Sequence, residues 1–166
     1  MRLGKYVIVL CGGIVLLACA TANSYRKGVE YDRAGQHERA VREFTKAIAW
    51  DPDQPAPLHG RGLAYIDLGE YESAINDFDE AIRLDPDYYL AYYTRGTLYA
   101  SELQDYQRAV RDLDRCIELN SQFAPAYQNR GVAHEAMGNH QQACQDWRRA
   151  CELDFSLGCA SVEEEC

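Results

Sequence analysis

The chain is short of positive charge: 17 lysines and arginines stand against 26 aspartates and glutamates, a formal net charge of -9 over 166 residues. So acidic a surface repels phosphodiester backbones and anionic headgroups, which argues against nucleic acid or a bare lipid surface as partner. An apolar run of bilayer length is also missing, because the uncharged stretch from Tyr6 to Ala18 is shorter than the roughly 20 residues a spanning helix needs. There is no low-complexity segment and no interdomain linker. Glycine-rich phosphate loops, nucleophile elbows and repeated His-Glu zinc motifs are absent as well. The four histidines are scattered; a cluster of His134, His140 and Cys144 is the one metal set worth weighing among them, and we expect no metal there. These absences leave no polar constellation for catalysis, so the expectation is a chain that is not an enzyme, with no cofactor and no small-molecule substrate.

What the chain does have is internal repetition. At a period of 34 residues Gly28, Gly62, Gly96 and Gly131 fall into register, the last after a one-residue insertion. Three residues beyond them stand Tyr31, Tyr65, Tyr99 and His134. The second half of each unit repeats too: Ala40, Ala74, Ala109 and Ala143, then Phe44, Phe78, Leu113 and Trp147, then Ala47, Ala81, Cys116 and Ala150. Pro52 and Pro86 end the first two units, and Gly35, Gly69 and Gly138 mark turns. The third unit is one residue longer near Leu103 to Asp105 and lacks the turn glycine. Small residues at fixed phases let two short helices cross closely while the large ones fill the groove beside them. Helices of about a dozen residues are marginal alone, so each hairpin must bury its apolar stripe against the next.

This pattern resembles the tetratricopeptide repeat from Thr21 to about Phe155. The resemblance implies an all-α, right-handed superhelical solenoid of four helical hairpins. Its units would be 21–54, 55–88, 89–123 and 124–155, followed by a short capping helix over 156–166.

Ahead of the repeats, Arg2 and Lys5 precede an apolar core that ends in Leu16-Leu17-Ala18-Cys19, which resembles the lipobox of bacterial lipoproteins. That resemblance implies a signal peptide over 1–18, a lipidated Cys19 carrying acyl chains such as palmitate, and a linker over 19–23. Cys11, preceded by Val9-Leu10, is a weaker candidate, and an uncleaved membrane anchor is the alternative reading. Cleavage removes two positive charges and takes the mature chain from -9 to -11. About 148 residues remain, enough to bury roughly 68% of the unfolded surface of one domain. Thioether-linked acyl chains plus an N-terminal acyl group exceed the two-signal requirement for stable anchoring. Ala20 rather than aspartate after the cysteine implies the outer membrane, facing the periplasm.

Seven cysteines suit an exported chain. The segment from Ala150 to Cys159 resembles the cysteine-paired turns of Sel1-like repeats, which implies a bridge from Cys151 to Cys159. Cys144 lies seven residues before Cys151 and Cys166 seven after Cys159, two helical turns each, so in an antiparallel hairpin they face one another as well. Two nested disulfides are expected to staple the cap, with Glu163 to Glu165 keeping it soluble; a tetrathiolate zinc site is disfavoured because no close C-x₂-C pair is present. Cys116 stands at an alanine phase and reads as a buried free thiol.

Lys27, Arg61, Arg95 and Arg130 recur opposite Glu43, Asp77, Asp112 and Asp146. Four copies of one pair cannot all be active sites, so they read as ion pairs bridging the helices of each hairpin. By the family's register the concave groove carries Tyr25, Val29 and Arg33; His59, Leu63 and Ile66; Leu90, Tyr93 and Thr97; and Gln128, Val132 and Glu135. The lysine, asparagine and arginine with which this family clamps acidic tails are lacking at these phases. The strip is mildly apolar and aromatic, suited to a peptide from another envelope protein. A membrane-anchored scaffold is therefore the expected function. The alternative is a mainly structural protein that self-associates into a homo-oligomer without a separate client.

Overall fold

The computed structural model describes the backbone from residue 13 and the side chains from Thr21 to Cys166. Its described part is all helical: α1 (Gly13–Arg33), α2 (His37–Trp50), α3 (Pro55–Asp67), α4 (Tyr71–Leu84), α5 (Tyr89–Ser101), α6 (Tyr106–Leu119), α7 (Ala124–Ala136), α8 (His140–Glu152) and α9 (Ser156–Glu165). Successive pairs form four hairpins, and α9 caps the last of them. The segment 19–23, expected as a linker, is helical here, because α1 continues through it. Residues 1–12 of the expected signal peptide and the Cys19 side chain lie outside the described residues, and α1 takes in its last six positions. Among those described, no helix is long and apolar enough to cross a membrane.

The repeated sequence positions explain the stack. Ala40, Ala74, Ala109 and Ala143 are fully buried, and Phe44, Phe78, Leu113 and Trp147 are at most 4% exposed. A Cβ placed on Gly62 would lie 2.6 Å from the Phe78 ring, and one on Gly131 would lie 2.5 Å from the Trp147 indole nitrogen. Glycine is thus required for close approach of the two helices, at a cost in helix propensity of about 1 kcal/mol relative to alanine. Gly35, Gly69 and Gly138 take positive φ in the turns within three hairpins. In the third turn, which has no glycine, Gln104 adopts φ 53° instead. Asp105 then begins α6, its side chain accepting from the Arg108 backbone N–H at 2.9 Å.

The units end on Asp51, Asp85 and Asn120, whose backbone N–H groups bond the carbonyls of Ala47, Ala81 and Cys116. Between α8 and α9 no proline stops the chain; Asp154 turns it with φ 61°. The odd-numbered helices touch one another, α1 with α3, α3 with α5 and α5 with α7, whereas the even-numbered helices show no comparable packing among the described residues. The odd helices therefore line the inner side of the stack, and any groove must be made from them.

Candidate partner-binding groove

Tyr25 on α1 and Val132 on α7 are the exposed apolar groups of this inner face, at 37% and 48%. Between them Leu63 and Leu90 are half-buried. Val29 and Ile66 are also half-buried, packed respectively against the cluster of Ala40, Phe44 and Ala64 and that of Ala74, Phe78 and Leu98. Arg33 is exposed at the end of α1. Apolar side chains thus run along the face with part of each surface open, which is what an extended or helical peptide needs for side-chain anchoring.

Other expected groove positions are consumed by packing. His59 sits between the Phe78 and Tyr88 rings, with centroids 5.7 and 5.5 Å away. Its Nε2–H donates to Thr94 Oγ1 at 2.9 Å, because the Thr94 hydroxyl spends its own proton on the Leu90 carbonyl at 2.8 Å. Burial lowers the His59 pKa to about 4, so the ring is neutral at pH 7 and is a tie between α3 and α5 rather than a ligand. Tyr93 stacks edge-on to Phe123 at 4.9 Å, and its hydroxyl accepts from Asn129 Nδ2. Thr97 donates to the Tyr93 carbonyl and accepts from the same amide at 2.9 Å. Gln128 is 8% exposed and donates to Ser161 on α9 at 3.1 Å, which removes it from the groove. Glu135 is half-buried, its carboxylate 2.6 Å from His140.

The ion pairs form in three hairpins and fail in the first. Arg61 reaches Asp77 through Nε and Nη2 at 2.8 and 2.7 Å; Arg95 does the same to Asp112, and Arg130 to Asp146. Among the described residues Lys27 makes no ion pair, and Glu43 is held by Lys46 at 2.6 Å instead. A lysine offers one point charge, whereas the arginine fork fits a carboxylate with two parallel bonds. Burial on its own lowers the pKa of Arg95 and Arg130, but their carboxylate partners more than reverse it.

Each guanidinium has a second acceptor that sequence reading missed. Arg61 Nη1 donates to Thr45 at 3.0 Å, Arg95 Nη1 to Asp79, and Arg130 Nη1 to Asp114 at 2.6 Å. Each of these acceptors stands sixteen residues earlier, on the second helix of the preceding hairpin. The signal was present in the repeat, since Thr45, Asp79 and Asp114 share one phase. The arginines therefore join neighbouring units as well as the helices within a unit. Buried in that role, they offer nothing to a substrate.

Among the described residues the disulfides tie α8 to the cap. Cys144 is bonded to Cys166 and Cys151 to Cys159, with Cα separations of 5.8 and 4.6 Å. Cys116 is a fully buried free thiol whose pKa is pushed up to about 12 by burial, the wrong direction for a nucleophile. The set of His134, His140 and Cys144 is not assembled, because Cys144 is in a disulfide and His140 faces Glu135.

His37, at the start of α2, is half-buried. Its Nδ1 lies 3.0 Å from Asp32 and 3.4 Å from Asp67 of the next unit. Among the described residues these three form the one cluster with metal-ligand spacing. Half of the Asp67 side chain is open to solvent, and the imidazole between the two carboxylates links α1, α2 and α3 as a polar contact.

Models of the tetratricopeptide repeat match residues 23–54, 89–123 and 124–156, and a model described as TPR repeat matches 62–101. Among curated proteins no sequence matches. Similar solved structures include MamA from Desulfovibrio magneticus RS-1, 23% identical over 87% of this chain and 85% of that one, with a TM-score of 0.74. The first TPR of Spaghetti (RPAP3), bound to the HSP90 peptide SRMEEVD, is 27% identical over 72% of this chain and 94% of that one, with a TM-score of 0.68. A tetratricopeptide repeat protein from Parabacteroides merdae is 26% identical over 86% of this chain and 57% of that one, with a TM-score of 0.73.

Proposed function

Because this chain belongs to the tetratricopeptide repeat family, we propose that it is a non-enzymatic adaptor of the bacterial cell envelope that holds a partner protein or peptide against its inner face. The observation that carries this reading is the division of labour among its side chains. Every arginine at the repeated phase is spent on holding hairpins together, and the polar groups His59, Thr97 and Gln128 are spent on tying helices. Of the expected groove positions, Tyr25, Leu63, Leu90 and Val132 keep apolar surface open to solvent, with charge only at Arg33 and Glu135. Such a face suits recognition of apolar side chains and offers no means of polarising a bond.

The anchor is part of the same proposal. Leu16-Leu17-Ala18-Cys19 supplies the lipidation signal, Cys19 carries the acyl chains, and Ala20 directs the protein to the outer membrane. Cys19→Ala is expected to accumulate as unprocessed precursor or to leave the membrane fraction. A Cys19→Ala protein still processed and still anchored would remove the lipobox from the account.

The groove is tested by photo-crosslinking in cells from Val132, with exposed Glu72 on α4 as control. A discrete adduct from Val132 alone identifies a client; adducts from both positions or from neither overturn the groove. A second reading has its own support: Trp50 at the end of α2 and Leu157 on the cap are 53% and 59% exposed, so the end units of the stack, the first hairpin and the cap, each expose one large apolar side chain. Self-association through those ends predicts a mass that rises with concentration and falls with Trp50→Ser.

A further inference from the structure

We propose that the first hairpin docks on the surface of the membrane, with Trp50 in the headgroup layer and a basic belt one turn further out that reaches anionic phosphates. This rests on the Cys19 anchor and gives the anchored solenoid an orientation on its bilayer. The overall deficit of positive charge hides a division along the chain. Between residues 21 and 50 six lysines and arginines stand against four acids, whereas from 51 to 166 nine stand against 22. The first hairpin is therefore net positive, and everything after it is strongly negative.

Helix geometry puts the open edge of that hairpin at the anchor. The backbone of α1 runs unbroken through 19–23, so no slack chain separates Cys19 from the fold. Gly28 crosses α2 at Phe44, where an added Cβ would lie 2.7 Å from the ring. Counted away from that crossing along antiparallel helices, Arg26 comes level with Lys46 and Ala22 with Trp50. Trp50 is then only about 4.5 Å of helix rise from the level of Cys19. Its indole is 53% exposed, although Leu84, Leu119 and Leu153 at the same phase of later units are half-buried. Packing in the stack does not call for that indole, and its apolar ring and N–H suit the boundary between headgroups and acyl chains. Arg26, Lys27 and Lys46 are all exposed, and among the described residues Lys27 has no ion-pair partner, while Arg26 and Lys46 each share a carboxylate of their own helix, Glu30 and Glu43. Of the two acids that follow Trp50, Asp51 is half-buried and Asp53 lies within electrostatic reach of Arg83 in the next unit. An anionic surface thus attracts the first hairpin and repels the remainder, which leaves the groove turned toward a partner.

The test reconstitutes the lipidated full chain in vesicles of phosphatidylcholine brominated on its acyl chains, with and without phosphatidylglycerol, and reads tryptophan quenching. Trp147, 4% exposed, supplies a background that Trp50→Phe measures. Trp50 is expected to be quenched, and more strongly when phosphatidylglycerol is present. Leu157→Trp in the Trp50→Phe chain, which puts the indole on the cap, should not be quenched. Arg26→Gln with Lys27→Gln should lower the ratio of docked to undocked protein about fivefold for each charge removed. Arg111→Gln with Arg148→Gln, which takes the same charge from exposed positions on α6 and α8, should leave quenching unchanged. Equal quenching at Trp50 and on the cap, indifference to phosphatidylglycerol, or equal losses from the two glutamine pairs would overturn the docking face. A Trp50 emission that is blue-shifted but unquenched overturns it too, by assigning the indole to a second copy of the chain. A protein that floats with the vesicles while Trp50 stays unquenched keeps the anchor and removes only the docking, whereas one that fails to float removes both.

Discussion

A methyl group added to Gly158 would lie 2.6 Å from the Ala150 Cβ, 2.8 Å from the Cys151 backbone nitrogen and 2.9 Å from the Trp147 carbonyl oxygen. Two of these neighbours are backbone, which cannot rotate aside. At Gly96 the nearest atoms are side chains of Asp112 and Leu113 at 3.1 Å, and alanine's better helix propensity offsets part of the crowding. Gly158→Ala is therefore expected to cost on the order of 1 to 3 kcal/mol by overpacking, and Gly96→Ala clearly less, as read by urea melts of the two variants.

His59 gives the residue scale its pH dependence. Its folded pKa of about 4 lies below the unfolded value, so between those two the unfolded chain binds the extra proton. Stability is then complete above about pH 6.5 and is lost as the pH falls toward 4. By pH 5 the histidine alone should remove about 2 kcal/mol. His59→Gln keeps an N–H donor for Thr94 but does not titrate, so it should lose less stability than wild type between pH 7 and 5. An unchanged difference would mean that His59 is hydrated in solution.

Among the elements, α9 is the one whose place depends on covalent bonds. It has a single buried residue, Gly158, and begins without a side-chain cap. By the chain-entropy account the inner bridge contributes about 2.5 kcal/mol and the outer, whose loop is shortened by nesting, about 3 kcal/mol. With so little apolar area of its own, α9 should detach on reduction while α1 to α8 persist. Hydrogen exchange in reductant is expected to lose protection over 156–165 first; simultaneous loss across α7 and α8 would mean that the cap is integral to the fourth hairpin.

At the scale of the molecule, the arginine links make a stack of marginal hairpins act as one body. Each joins two helices of its own unit and one of the unit before, so the charges connect what apolar packing alone would leave as nearest-neighbour contacts. Arg95→Met should cost about 3 kcal/mol, since it strands Asp112, which is 7% exposed, in the interior. Adding Asp112→Leu should recover much of that loss, because an apolar pair needs no desolvation. If the double variant is no better than the single, the arginine matters mainly through Asp79.

Much of this was legible in the sequence because a repeat states its own packing. Glycine and alanine at fixed phases, with Phe44, Phe78, Leu113 and Trp147 beside them, can only be two helices crossing closely, and repetition places that crossing four times. The turns were legible for the same reason, apart from Gln104, where the insertion removes the glycine but the chain still needs a left-handed residue. The resemblance to Sel1-like turns implied the Cys151–Cys159 bridge, and with that bridge in place the seven-residue spacing set Cys144 opposite Cys166. What the sequence did not decide was which polar side chains are spent inside. His37 joins Asp32 and Asp67, Asn129 joins Tyr93 and Thr97, and Gln128 lies under α9, and each of these pairings needs the angle between one unit and the next. Lys27 shares the phase of three arginines yet forms no such pair, since a point charge lacks the fork that the carboxylate site fits. Periodicity sets which residues face inward, whereas the superhelical stacking of unit on unit sets which of those are covered and which are left for a partner.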